Sequence, residues 1–171
     1  MNAEPQAVLA LVYWLHLLAT VIWIGSLASL ALFVAPAARR SLAGESGGIF
    51  LGQVQARIQN AGWLSLGMLV ATGLFQMSAN PNYKGFLAIV NTWAVAILAK
   101  HVVVGVMLLV NTYLTFSLAP ARKRAELRQG RGLAAAADLD RLRGREWSIL
   151  WANVALSGVV LALTALARAS Q

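Results

Sequence analysis

Residues 7–36 read AVLALVYWLHLLATVIWIGSLASLALFVAP, an unbroken stretch without a formally charged side chain. A helix rises about 1.5 Å per residue, so about 20 apolar residues cross the hydrocarbon of a bilayer. This stretch exceeds that need and must tilt or continue into water. Its amino-terminal flank, Met1–Gln6, holds Glu4 and Pro5 but no Lys or Arg. A signal peptide opens on a basic region and carries an apolar run of about 7–15 residues. The stretch is therefore expected to be a retained transmembrane helix.

Working outward, three more segments have the length and character of spans: 62–79, 86–118 and 148–167. The third contains Lys100 and His101, but its flanks Trp93–Leu98 and Val102–Val110 are strongly apolar. The 171 residues are 59% hydrophobic and 12% charged, where a soluble domain has about 45–50% and about 25%. Half the usual charge, with apolar residues in long runs, excludes a soluble enzyme domain, a disordered tail and a nucleic-acid-binding module. The absence of cysteine excludes disulfides, thiolate metal sites and a cysteine nucleophile.

The net charge of +8 is explained by where the cations fall. Arg39, Arg40 and Arg57 lie between the first two spans. Arg122, Lys123, Arg124, Arg128, Arg131, Arg141, Arg143 and Arg145 lie between the last two, so these loops hold 11 of 14 basic residues. By the positive-inside rule both loops are cytoplasmic and both termini outside. The same cations suit anionic lipid headgroups, and no nucleic acid is needed to explain them. The expected fold is all-α: an integral membrane antiparallel four-helix bundle in a bacterial-type inner (plasma) membrane, forming one domain over 1–171. No internal repeat or second domain is visible. Asn80–Gly85 (NPNYKG) reads as an outer turn. Ile49, Phe50, Val54 and Ile58 suggest an interfacial helix, and Leu133–Leu142 a cytoplasmic helical extension. Trp14 and Trp93 near the outer interface, and Trp63 and Trp147 near the inner one, are expected as anchors.

Polar groups inside a bilayer are costly, so they direct the search for function. Both histidines of the chain, His16 and His101, are intramembrane, and Lys100 adjoins the second. Neighbours on a helix point about 100° apart, so Lys100 and His101 cannot share one direction. Ala19, Thr20 and Trp23 continue the His16 face; Gly105, one turn beyond His101, leaves room for something flat. Helices one and three are diagonal in an up-down bundle, where two histidines can supply the axial ligands of a b-type haem. Ser65, Thr72, Ser157 and Thr164 are expected to bond back to their own helices or across to a neighbouring one. Gln76, Asn153 and Lys100 are candidates for lining a site.

The stretch YWLHLLATVIWIG (Tyr13–Gly25) has an LHxxAxxxWxG pattern. With Arg57, Trp63, the Thr72–Gly73 pair, Lys100 and WANVALSGVVLALTA in the last span, it resembles the copper-resistance D (CopD-like) membrane domain over nearly the whole chain. The helix-one pattern is also similar to that of four-helix membrane protoporphyrinogen oxidases, which bind haem b. The first resemblance implies copper uptake or transfer, with His16, Trp23 and Lys100 at the matched positions. The second implies a haem site using His16. Those oxidases are expected to carry a basic residue within helix one, and none occurs here before Arg39, so the resemblance carries the haem further than the oxidase activity.

The leading expectation is a membrane cytochrome-like protein. His16 and His101 ligate one b-type haem, Gly105 gives clearance and Trp23 packs on the ring. Its role would be electron transfer or service in a larger redox complex with a membrane partner. A copper-transfer protein using His16, His101, Met68 and Met107 is the first alternative, since soft Cu(I) takes thioethers. A cofactor-free accessory subunit is the second: in it the two imidazoles serve interhelical hydrogen bonding, with His16 and His101 bonded to Gln76, Asn153 or backbone carbonyls. An enzyme is the weakest reading, because no carboxylate within a span can act as a general base, and no catalytic residue is assigned.

Overall fold

The computed structural model describes residues 3–41, 45–81, 83–85, 91–130 and 136–170. Their regular structure is helical: α1 (Ala3–Ser29), α2 (Ala35–Ser41), α3 (Glu45–Ser78), α4 (Thr92–Tyr113), α5 (Ala119–Gln129) and α6 (Ala136–Ala169). A π-turn at Leu30–Val34 joins α1 to α2, and another at Leu114–Leu118 joins α4 to α5. Four stretches are long and apolar enough to cross a membrane: Gln6–Ala38, Ile49–Ser78, Thr92–Gln129 and Ala137–Ala169. Their surfaces are apolar as well: Leu64, Leu109 and Phe116 are 75%, 71% and 71% exposed. Water penalises such exposure and lipid does not, so the pattern is consistent with a membrane-embedded chain.

The expected spans change at their ends. No separate interfacial helix precedes the second: Glu45–Ser78 is one helix of 34 residues. Its Gln- and Arg-containing first half has helix formers and no proline, so nothing stops the helix where the apolar run begins. At about 1.5 Å per residue it is about 50 Å long, well beyond the hydrocarbon core. The fourth span likewise sits inside a longer helix, α6, also of 34 residues. The expected start of the third, Phe86–Val90, lies outside the described residues, as do Asn82 of the outer turn and the start of Leu133–Leu142. The described α4 begins at Thr92, where the Asn91 carboxamide accepts the Ala94 N–H at 2.7 Å, an N-cap bond. In the outer turn Tyr83 N–H donates to Asn80 O at 3.0 Å. Gly85 there takes φ 118°, a conformation open to glycine.

Both π-turns have the same cause. Ala35 N–H reaches back to Leu30 O, and Ala119 N–H to Leu114 O. The next residue is proline each time, Pro36 or Pro120, which lacks an N–H and collides with the carbonyl four residues earlier. The helix absorbs that conflict by widening one turn. The segments LALFVAPAARR (30–40) and LTFSLAPARKR (114–124) share the leading Leu, the Ala-Pro-Ala core and the closing Arg. This short repeat escapes notice in the sequence because its variable positions outnumber its fixed ones.

The chain forms two compact units, Met1–Ala94 and Val95–Ser170. In the first, α1 packs along α3 and the two run in opposite directions. Trp23 meets Gly62, His16 meets Thr72, and Val12 meets Gln76. The buried indole of Trp23 sets the approach: a Cβ on Gly62 would stand 3.2 Å from Trp23 Cζ3. Glycine lets the ring lie against the α3 backbone, where even a methyl group would press it back by a few tenths of an ångström.

In the second unit α5 packs on α6. Arg122 Nη1 donates to Glu146 Oε2 at 2.7 Å, and Arg122 Nε lies 3.5 Å from Glu126 Oε1. Trp147 and Trp151 meet edge to face at 5.9 Å. The Arg122 and Glu146 side chains are 17% and 10% exposed, between a surface pair and a buried one. Arg122→Ala strands the carboxylate and is expected to cost about 2 kcal/mol, between the two limits for such pairs. Thermal unfolding of the purified chain checks this, with Arg128→Ala, at an exposed position of α5, as a control expected to leave the midpoint unchanged.

Candidate functional site

His16 stands in the middle of α1, half-buried, with its ring turned toward α3. Its Nδ1 lies 2.8 Å from Thr72 Oγ1, and the Thr72 hydroxyl donates to Met68 O at 2.6 Å. A hydroxyl has one hydrogen: donated to Met68 O, it leaves a lone pair that suits a protonated His16 Nδ1. A Cβ on Gly73 would stand 3.4 Å from His16 Cε1. The His16 ring thus lies at van der Waals distance over Gly73. One turn earlier on α1, Val12 O accepts from Gln76 Nε2 at 3.4 Å, and Thr20 Oγ1 donates to His16 O at 2.7 Å.

In the second unit, His101 Nδ1 donates to Ile97 O at 2.7 Å, within α4. A carbonyl only accepts, so this ring carries its proton on Nδ1. In a neutral imidazole the lone pair is then on Nε2, the form in which histidine binds metals. A Cβ added at Gly105 would meet no atom within 4 Å, so the position has the expected clearance. Lys100 is half-buried. Asn153 is 2% exposed; its Nδ2 donates to Ile149 O at 3.3 Å, and its Oδ1 has no hydrogen-bond partner among the described residues.

The remaining expected residues distribute unevenly. Trp23 is buried in the notch at Gly62, so its ring serves the packing of α1 on α3. Met107 is buried in α4, whereas Met68 is exposed on α3. Among the described residues no three His, Cys, Asp or Glu side chains gather into a group that could hold a metal ion. Trp14 is exposed, as an interfacial anchor would be, but Trp93 is buried. Thr72, Ser157 and Thr164 do bond back to their own helices, at Met68 O, Asn153 O and Val160 O.

Sequence reasoning missed the second role of Thr72, as the acceptor for His16. A signal existed: His16 lies 25 residues before Ser41, and Thr72 lies 27 after Glu45. In an antiparallel hairpin, residues equally far from the turn face each other.

The fold and the site thus define a helical chain with four helices of membrane-spanning character and an oriented imidazole in each of two of them. No family model, curated protein or solved structure matches this chain.

Proposed function

We propose that the chain is an integral membrane protein that binds a b-type haem through His16 and His101, serving electron transfer or a larger redox complex. The observation that supports this reading is the state of the two imidazoles. Each has its Nδ1 at hydrogen-bond distance from an oxygen, Thr72 Oγ1 or Ile97 O, an arrangement that suits Nε2 as the ligand atom. Haem bound by two histidines supplies one-electron redox chemistry. What the chain supplies is the pair of oriented donors, an apolar surround that keeps water away, and Gly105 as space beside His101. The resemblance to CopD-like domains and to haem-binding four-helix oxidases points to the same imidazole on α1.

The test is an absorption spectrum with metal analysis of one purified sample. A Soret and an alpha band with about one iron per chain are expected. Copper in stoichiometric amount without porphyrin would replace the reading by copper transfer, and neither group would leave an accessory subunit.

The orientation is part of the proposal: an antiparallel bundle with the loops carrying Arg40 and Arg128 in the cytoplasm of a bacterial-type inner membrane and both termini outside. The cysteine-free chain is a ready background for testing it. A single cysteine at Lys84 is expected to react with an impermeant maleimide added to intact cells, and one at Arg128 only after the membrane is opened. The reverse pattern would invert the topology.

A further inference from the structure

We infer that Thr72 is the positioning residue that fixes His16 as an Nε2 ligand. The inference rests on the haem reading for its purpose, but its test does not need haem. The argument is one of proton counting. Thr72 has one hydroxyl hydrogen, placed on Met68 O at 2.6 Å. The same oxygen lies 2.8 Å from His16 Nδ1 and meets it with a lone pair, so the imidazole hydrogen must be on Nδ1. Were the hydrogen on Nε2, two lone pairs would face each other at a buried threonine. Gly73 lies under Cε1, the carbon between the two ring nitrogens, where a Cβ would stand at 3.4 Å, an ordinary contact distance. Thr72 therefore sets the rotation and tautomer of the ring.

The two histidines differ in one respect that matters. His101 bonds to a carbonyl of its own helix four residues away, so its orientation is set as soon as α4 forms. His16 takes its partner from a different helix, 56 residues along the chain. Its ligand form exists only when α1 and α3 are packed. Outer partners of this kind are worth about 10–100-fold in affinity for a bound metal centre.

The experiment is nitrogen NMR of the full chain labelled with 15N-histidine, before haemin is added, with His16 assigned through the His101→Gln variant. A protonated Nδ1 and an imine-type Nε2 are expected for His16. In Thr72→Val, which keeps the shape and removes the hydroxyl, the Nε2–H form should appear, and Thr72→Ser should restore the original signal. Haemin affinity should fall 10–100-fold in Thr72→Val and recover in Thr72→Ser. An Nε2–H signal from His16 in the unsubstituted chain, or an unchanged tautomer in Thr72→Val, would overturn the inference. Should Thr72→Val not fold, the signal of the unsubstituted chain still decides. Failure of the unsubstituted chain to take up haemin would instead overturn the haem reading, leaving the tautomer result to judge Thr72.

Discussion

If the chain binds haem as proposed, the double variant His16→Ala, His101→Ala is expected to purify without the Soret and alpha bands expected of the unsubstituted chain. These are the only two histidines, and there is no cysteine. The imidazole and thiolate ligands that protein chains offer haem iron are therefore confined to two positions. On the proposed reading, removing one would leave a single histidine to hold the iron, and the single variants are expected to bind haemin more weakly with a shifted spectrum. Removing both leaves thioethers, of which Met68 is exposed, as the remaining soft donors. Each ring is half-buried and hydrogen-bonded, so truncation also releases a partner, Thr72 Oγ1 or Ile97 O. Those oxygens keep or regain bonds along their own helices, so the fold should survive. Circular dichroism of the double variant is the control: retained helicity with lost bands assigns the loss to ligation. Bands unchanged in the double variant would sink the haem reading.

The second large effect concerns stability. Trp23→Ala is expected to cost about 3–5 kcal/mol, the range for removing a large aromatic from a packed site. The indole is buried against the α3 backbone at Gly62 and fills the space where the two helices approach. Truncating it leaves a cavity that two long helices cannot close without shifting along their whole contact. The converse substitution probes the same contact from the other side. Gly62→Leu drives its side chain into the Trp23 ring, because even a Cβ would stand 3.2 Å from it. Overpacking of this kind typically costs about 1–3 kcal/mol. Thermal unfolding in a fixed detergent, with Gly67→Ala as control, measures both. A Cβ at Gly67 meets nothing within 4 Å, so that variant should match the parent or gain slightly from helix propensity. An unaffected midpoint in Trp23→Ala would mean that α1 and α3 are not held together at this point.

The two effects are linked through the α1–α3 pair. Trp23 lies seven residues, about two helical turns, from His16 on α1, and Gly62 lies ten residues, nearly three turns, from Thr72 on α3. Loosening the Trp23 contact is therefore expected to disturb the His16–Thr72 bond as well, whereas His101, bonded within α4, should be insulated from it.

The sequence by itself determined the number and character of the helices. Apolar runs of bilayer length and the scarcity of charge left no other regular structure, since a lone helix satisfies its own backbone and its side chains select the solvent. It also singled out His16 and His101, because an imidazole in such a run stands out against its neighbours. Helix ends were less legible: the first half of α3 is polar, and polarity alone does not stop a helix that lacks a breaker. The π-turns follow from Pro36 and Pro120, and the rule that produces them is local. Only the tertiary structure decided what each polar side chain meets. Thr72 looked like any threonine bonding back to its helix, and it does so; that it also holds His16 depends on α1 and α3 lying antiparallel at one register. The same register also sets Trp23 as the wedge against Gly62. Such pairings join residues far apart in the chain, and no local pattern encodes them. They are set by which small residues let two helices approach, a property of the pair.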